Sequence, residues 1–447
     1  MGNAEAYLSD FAAAADALRA QGPAWLPAVR QAALDRFAQS GFPTLRNEEW
    51  LYTNVTPIAK VHFRNEASGA QPTTADIDAR AVGGLGGARF VFVDGRYSEP
   101  LSTIEAIPSG VRAGSLAEAL AADPSLESHF SPARPTDRER ENGVPSDTAF
   151  EALNTAFFTD GFFLHLPAEV TVEAPIEVVY LSTGDDQERV AYPRNLFIAE
   201  AGSRATVVES YAALGEGRYL TNATTEVSVA EKAHLEHYKI VHESEGAYHV
   251  ATQRAEQGAD SHYGTWFFSF GGQMVRNEIQ LSISGANCES DMNGLYVADG
   301  DRHVDNHTFI HHVEPDCHSR EIYKGVVGGK ARGVFSGKIF VYQEAQKTDA
   351  EQSNDAILVS DTATVNSRPR LEIYADDVRC THGATVGELN ADALFYLRSR
   401  GIPEVEARTM LIKAFASGVI DEVPLESLRT VLTERFVAGL PAELTEV

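Results

Sequence analysis

A repeat with a period of 26 to 30 residues constrains the fold of this chain most strongly. Between residues 162 and 385, short β-favouring runs alternate with turn residues, and the turn-plus-strand units can be superimposed on one another. The positions taken as equivalent are Ala205, Ala233, Ala259, Asn287 and Cys317. Small residues after a turn at such a period are typical of a solenoid. Helical patterns of about ten residues are missing between these runs, so the repeat favours a parallel β-helix over a βαβ array. The alternative is a β-sandwich with chance internal similarity.

Helical patterns precede the repeat. Apolar residues at helical spacing predict one helix capped by Ser9 or Asp10 and a second helix over residues 25–37. Residues 89–94 predict a strand, whereas the polar composition of residues 65–80 predicts a loop. Residues 131–148 have the composition of a flexible loop.

Helical patterns also follow the repeat. Asn390 is suited to cap a helix over residues 391–400, and Gly401 is suited to the position just beyond its end. Further helices are predicted after Pro403 and Pro424. We therefore expect a mainly β chain divided into an N-terminal region, a parallel β-helix core and a C-terminal helical region. The predicted boundaries are 1–150, 151–389 and 390–447.

Composition excludes several classes of function. The 447 residues include 64 acidic and 37 basic side chains, and the resulting net charge of −27 argues against binding nucleic acid or an anionic membrane. No run approaches the roughly 18–20 apolar residues of a membrane span, and no basic segment near the N-terminus resembles a signal peptide. The three cysteines are far apart and form no C-x-x-C motif, which favours a reducing, cytoplasmic location.

Motifs for catalysis are also missing from the sequence. The segment 325–331 resembles a P-loop, but it is one residue short and lacks the hydroxyl group that would bind magnesium. No G-x-S-x-G motif occurs. A β-helix with acidic clusters could in principle cleave a polysaccharide, so a cytosolic carbohydrate-active enzyme remains an alternative class.

Two clusters of ligand-type residues stand out. His303, His307 and His311 share one face if residues 303–312 form a strand, but consecutive histidines of this set are about 13 Å apart at ~3.3 Å per residue. This face of the 303–318 stretch could therefore hold either a metal ion or imidazoles stacked between turns. Cys380 and His382 also share a strand face, and thiolate and imidazole are ligands of iron–sulfur chemistry. Two ligands cannot complete a four-coordinate site, and Cys380 could instead be an ordinary core residue.

The chain resembles the SufB/SufD family of iron–sulfur cluster assembly proteins. The matching segments occur in the family's order, and they are 46–53, 195–196, 320–325, 347–352, 368–373, 380–387 and 394–402. Departures from the SufB pattern indicate the SufD branch. The stretch 360–366 has no cysteine, with Ala363 there, and Gly383 replaces the glutamate that follows the SufB histidine.

The resemblance implies a right-handed parallel β-helix between helical ends. It also implies a non-catalytic scaffold subunit that forms a heterodimer with a SufB-like protein through the β-helices and binds a SufC-like ATPase, which hydrolyses ATP, through its C-terminal helices. His382, and secondarily Cys380, would then be ligands of a nascent iron–sulfur cluster that is transient, shared with SufB and not held stably by the isolated chain. The region expected to contact the ATPase includes Leu394, Tyr396, Arg398, Met410 and Phe415.

The sequence leaves two alternatives open. One alternative is a purely structural SufD that stabilises SufB without contacting the cluster. The other open point is whether the isolated chain forms a homodimer in place of the pair with SufB.

Overall fold

Most α-helices lie near the two ends of the chain, and most β-strands lie between them. The computed structural model describes residues 4–19, 21–66, 68–105, 107–130, 149–185 and 187–441. The described α-helices are α1 (Ala4–Arg19), α2 (Leu26–Ser40), α3 (Thr56–Ala59), α4 (Thr74–Asp78), α5 (Leu116–Ala122), α6 (Glu127–Phe130), α7 (Ala149–Phe157), α8 (Ala391–Ser399), α9 (Glu404–Ile420) and α10 (Glu426–Ala438). Short 3₁₀ helices span Glu48–Trp50, Glu99–Leu101 and Pro124–Leu126. None of the described helices is long and apolar enough to cross a bilayer.

The strands lie between the two helical ends. They are β1 (Arg89–Val93), β2 (Arg96–Tyr97), β3 (Arg112–Ser115), β4 (Phe162–Leu166), β5 (Ile176–Ser182), β6 (Arg189–Ala191), β7 (Arg194–Ala199), β8 (Arg204–Ala213), β9 (Tyr219–Val229), β10 (His234–His242), β11 (Ala247–Gln257), β12 (His262–Ser269), β13 (Met274–Ile283), β14 (Glu289–Ala298), β15 (His303–His312), β16 (His318–Val327), β17 (Arg332–Val341), β18 (Asp349–Leu358), β19 (Thr364–Ile373) and β20 (Arg379–Gly387).

These strands form the two sheets of a solenoid. The first sheet has the order β2-β1-β5-β8-β10-β12-β14-β16-β18-β20, and the second has the order β19-β17-β15-β13-β11-β9-β7-β4-β3. Successive strands of the chain alternate between the sheets from β7 onward, and neighbours within a sheet are parallel except for the pairs β1–β2 and β3–β4. The result is a parallel β-solenoid of about eight turns, which confirms the predicted β-helix. Strands β1 to β3 come from the first 150 residues and extend both sheets.

The period of the repeat was predicted well, but its register was not. Ala205 lies opposite Leu235 rather than opposite the predicted Ala233, so that alignment is two residues out. A left-handed turn residue, with φ between 56° and 70°, lies two residues before each of six strands of the first sheet, which are β8, β10, β12, β14, β16 and β18. These residues are Gly202, Lys232, Asp260, Asn287, Asp316 and Lys347. Because four residue types fill this one position, no single letter marks the true register in the sequence.

Side chains alternate between the solenoid interior and its two outer faces. The interior forms the largest core cluster, which extends from Phe90 at one end to Ala375 at the other. Helices α1, α2 and α7 pack in a second cluster with residues of the second sheet such as Leu220 and Val250. Helices α9 and α10 cover the outer face of the first sheet, where Ile412 and other residues pack in a cluster with Trp266 and its neighbours.

Two local predictions in the N-terminal region need correction. Helix α1 begins at Ala4, so Ser9 and Asp10 lie inside it and do not cap it. The segment 65–80 contains the short helix α4, because Thr73 and Asp76 form a reciprocal capping box at its start. The predicted loop 131–148 lies outside the described residues.

The C-terminal helices follow the sequence signals closely. The Asn390 side chain accepts a hydrogen bond from the Ala393 N–H at 2.9 Å, as expected of the cap of α8. Gly401 has a φ of +86°, the left-handed conformation expected beyond a helix end. Pro403 caps α9 instead of forming its first turn, a shift of one residue from the prediction.

Candidate functional site

The last strand of the solenoid carries Cys380 and His382. The two residues share one face of β20, and their direct partners on β18 are Ala350 and Gln352. Ala350 belongs to the interior core and Cys380 packs against that core, so this is the inner face of the solenoid. Strand β20 ends the first sheet, and most of its residues are exposed. Cys380 and His382 therefore lie where the solenoid interior opens to solvent.

This end of the solenoid is not covered by any described element. Strand β19 ends the second sheet beside β20, so both sheets finish with an unpaired edge. The apolar side chains of Tyr374 and Val386 are exposed there, to 59% and 42%. We call β19, β20 and these two side chains the open end. Unpaired edges of this kind are templates for strand pairing with another chain.

A column of polar side chains continues inward from His382. Gln352 lies directly behind it on β18, and Glu321 lies behind Gln352 on β16. The Gln352 amide donates a hydrogen bond from Nε2 to Glu321 Oε2 at 2.7 Å. Burial raises the pKa of Glu321 to about 7, although hydrogen bonds with Thr308 and Gln352 oppose this shift. The interior next to the open end therefore contains a carboxyl group that titrates near neutral pH.

Cys380 is held as a thiol in the isolated chain. Burial raises the pKa of its side chain, the backbone N–H of Ala350 opposes that shift, and the nearby carboxylate of Asp349 adds to it. A thiolate is the form that binds iron, so binding at Cys380 requires the thiol to release its proton to solvent as the metal binds.

The ligand set at the open end is incomplete. Within the described ranges, Cys380 and His382 belong to no group of three ligand-type side chains whose donor atoms lie within 4.8 Å of one another. The neighbouring Asp376 and Asp377 are exposed in the turn before β20, and the Asp377 N–H donates to Gln346 Oε1 at 2.9 Å. The described residues therefore add no third ligand-type side chain to Cys380 and His382.

The histidine-rich stretch forms strand β15, and its odd-numbered histidines share the outer face as expected. Each of these three histidines, however, contacts a different neighbouring side chain. His303 Nε2 lies 2.8 Å from Thr53 Oγ1, and His307 Nε2 lies 3.0 Å from the buried carboxylate of Asp305. The ring of His311 stacks on Phe340 at 5.9 Å. Among the described residues, these three histidines belong to no group of three ligand-type side chains.

On the same outer face, the N-terminal segment 46–53 contacts the segment 368–373 of β19, a contact that the sequence did not predict. Glu48 lies 3.3 Å from Arg370 and 3.4 Å from Arg368, and both arginines are on β19. The Trp50 ring stacks under the guanidinium of Arg276 at 3.8 Å. Segments 46–53 and 368–373 are thus in contact at the last turn of the solenoid. The opposite charges of the two segments are compatible with this contact. They could not predict it, however, because the paired residues are more than 300 positions apart and only the folded structure shows that they are neighbours.

The residues expected to contact an ATPase lie on α8 and α9. Tyr396 and Met410 are exposed to 56% and 49%, and the neighbouring Phe395 to 74%. Arg398 forms an ion pair with Glu404 at 3.1 Å, and Leu394 is half-buried. Phe415 turns toward the solenoid instead, where its ring contacts the ammonium group of Lys324 at 4.9 Å.

Comparison with known proteins agrees with this architecture. The family model described as the SufBD core domain of SUF system FeS cluster assembly matches residues 180–415, and the SufBD N-terminal region matches residues 1–178. The SufD iron–sulfur cluster assembly protein of Escherichia coli is 31% identical, with 91% of this chain and 92% of that protein covered. A SufBD family protein of Synechocystis is 30% identical over 90% of this chain and 88% of its own length. SufD of Bacillus subtilis is 29% identical over 65% of this chain and 66% of its own length.

The fold is a two-sheet parallel β-solenoid with helices at both ends and with Cys380 and His382 on the inner face of its last strand. The matches to both family models show that the chain belongs to the SufBD family of iron–sulfur cluster assembly proteins. The resemblance predicted from the sequence motifs is thereby confirmed, and SufD proteins of two bacteria are among its relatives.

Proposed function

We propose that this chain is a non-catalytic, SufD-like scaffold subunit that supplies half of a ligand set for a nascent iron–sulfur cluster. The observation that carries the proposal is the position of Cys380 and His382 on the inner face of β20. In this proposal a SufB-like partner joins its own solenoid to the open end and contributes the remaining ligands. The cluster is the cargo of the assembly and is passed on after it forms.

The open end supports strand pairing as the mode of association. A partner strand next to β20 and another next to β19 would continue both sheets and satisfy their backbone edges. Pairing would also cover the exposed rings and side chains of Tyr374 and Val386. In the absence of a SufB-like partner, two copies of this chain could associate through the same edges as a homodimer.

The ligand shortfall supports a shared site. Iron in iron–sulfur clusters is held mainly by thiolates, and imidazole replaces thiolate at some irons. One thiol and one imidazole from this chain leave further positions for ligands from the partner. A site split between two subunits forms only in the complex, so cluster assembly depends on correct pairing. His382 is the first candidate ligand, because it is the more exposed of the two.

Helices α8 and α9 support docking of a SufC-like ATPase. Their exposed apolar side chains, including Tyr396 and Met410, form a surface that no described element of the chain covers. Leu394, Arg398 and Phe415 complete the region, with Phe415 linking α9 to the first sheet. ATP hydrolysis belongs to the partner in this proposal. We also place the assembly in the cytoplasm, where its three free cysteines would remain reduced.

The test is anaerobic cluster formation in the three-subunit complex. We expect His382→Ala to lower the yield of iron and sulfide bound per complex, while His318→Ala leaves it unchanged. His318 is a matched control because it is an exposed histidine on the outer face of β16, away from the open end. Size-exclusion chromatography of each complex checks that subunit association is intact.

Two outcomes would separate the alternatives. An unchanged cluster yield in both His382→Ala and Cys380→Ala would remove the ligand role and leave a purely structural SufD. Loss of association in His382→Ala would place this residue in the pairing surface and would require the cluster yield to be measured per assembled complex.

A further inference from the structure

A second group of ligand-type residues lies on the outer face of the first sheet, four turns from the open end. It consists of His234 and Glu236 on β10 and His262 on β12. One donor atom from each of the three residues falls within 4.8 Å of the others. At about 4.8 Å per strand, β12 is roughly 19 Å from β20, so this group is separate from Cys380 and His382.

The register of two parallel strands brings the three residues together. His234 pairs directly with His262, and their rings stack with centroids 4.3 Å apart. Glu236 is two residues beyond His234 and therefore on the same face of β10. Its Oε1 lies 2.8 Å from His262 Nε2 and 3.6 Å from His234 Nε2. Donor atoms around a tetrahedral zinc ion are separated by about 3.4 Å, so small side-chain rotations suffice for coordination.

The surroundings hold the carboxylate toward the two imidazoles. Trp266 donates a hydrogen bond from Nε1 to Glu236 Oε2 at 3.0 Å, which leaves Oε1 for the histidines. Gly264 lies directly opposite Glu236, and a Cβ at this position would lie only 2.1 Å from Oε2. The carboxylate therefore crosses the neighbouring strand through a space that only glycine leaves open. Such orienting contacts behind the ligands are typical of metal sites.

The group also has an open side. His234 is 37% exposed at its side chain, whereas Glu236 and His262 are 17% and 18% exposed. The carboxylate of Glu289, on the next strand, lies 3.9 Å from His262 Nδ1, the ring nitrogen that faces away from Glu236. Ligands on one side and solvent on the other match a site with three protein ligands and free coordination positions.

We propose that His234, Glu236 and His262 bind a first-row divalent transition metal ion. Two imidazole nitrogens and one carboxylate oxygen suit Zn²⁺, and the same set with open positions suits Fe²⁺. Mg²⁺ prefers oxygen ligands in a complete octahedron and is not expected to bind. The remaining coordination positions are open to solvent or to a small ligand.

The test uses the full chain without a histidine tag, stripped of metal with a chelator. The background is the double variant Cys380→Ser, His382→Ala, so that the open end contributes no ligands. Titration with Co²⁺, followed by its visible absorption, is expected to show one bound equivalent without a thiolate charge-transfer band. Competition with Zn²⁺ and, anaerobically, with Fe²⁺ then ranks the two ions.

Variants assign the binding to these residues. We expect His234→Ala and His262→Ala each to weaken binding at least ~100-fold, and Trp266→Phe to weaken it by roughly 10-fold by freeing the carboxylate. His165→Ala is the matched control, because His165 forms a pair with Glu200 at 2.7 Å but has no third ligand in the described structure. Circular dichroism of the metal-free variants shows whether each one is folded.

The proposal fails if the folded His234→Ala and His262→Ala variants bind Co²⁺ as tightly as the background. It also fails if Mg²⁺ competes as well as Zn²⁺, since binding would then reflect negative charge alone. Loss of all binding in the Cys380→Ser, His382→Ala background relative to the unmodified chain would place the metal at the open end and equally overturn it.

Discussion

Replacing Glu321 by glutamine should stabilise the protein, and more so as the pH rises. The side chain is completely buried behind Gln352, and its neutral isostere keeps an oxygen that can accept the hydrogen bond from Gln352 Nε2. Burial raises the pKa of this carboxyl from 4.5 to about 7. The folded state therefore holds a proton that the unfolded chain loses between these two values.

The sign and size follow from proton linkage. Below the pKa of Glu321 in the unfolded chain, its carboxyl is protonated in both the folded and the unfolded state. Its ionisation then has no effect on the free energy of unfolding. As the pH rises, the unfolded chain ionises first, and stability falls until the folded pKa is passed. At 1.36 kcal/mol per pH unit, ionisation of Glu321 lowers the free energy of unfolding by about 1.4 kcal/mol near pH 5.5 and by about 3 kcal/mol near pH 8. Glu321→Gln should therefore gain about 2 kcal/mol more at the higher pH.

Urea unfolding at these two pH values measures the difference. Glu351→Gln is the matched control, since Glu351 is exposed on the outer face of neighbouring β18. We expect its effect on the free energy of unfolding to be small at both pH values. A gain for Glu321→Gln that is the same at both pH values, or larger at the lower one, would refute the assignment of a buried carboxyl with a raised pKa.

Three further changes test other parts of the account. Val386→Lys should weaken association with a SufB-like partner at least ~10-fold in a binding titration, because it places a charge on the open end, whereas lysine at the exposed Ile104 should not. Met410→Glu should abolish pull-down of a SufC-like ATPase while the melting temperature of the isolated chain stays unchanged; retained pull-down would contradict docking on α9. Asp305→Asn should lower the free energy of unfolding by roughly 3 kcal/mol, because it removes the nearer carboxylate of the buried Arg276 guanidinium and leaves only Glu278 at 3.3 Å, and an unchanged urea midpoint would refute this.

The solenoid could be predicted because its repeat leaves a local signature. Turn residues followed by small residues recur at nearly constant spacing between residues 162 and 385. The register could not be predicted in the same way. Gly202, Lys232 and Asn287 occupy the same left-handed turn, and their side chains have little in common beyond tolerating that conformation.

The sites depend on contacts between turns, and this limited what the sequence could show. Cys380 and His382 were recognisable because they are two residues apart on one strand. His234 and His262 are in different turns, and only a register that is correct to the residue pairs them. The contacts of Glu48 with Arg368 and Arg370 likewise join the N-terminal region to the last turn. In each case the missing information was a pairing across the fold.

The most direct test of the shared half-site is pulsed electron paramagnetic resonance of the reduced cluster in the assembled complex. If His382 is a ligand, an imidazole nitrogen coupling will be present in the unmodified complex and in His318→Ala, and it will be lost in His382→Ala. A cluster in the His382→Ala complex that keeps the same nitrogen coupling would contradict the account.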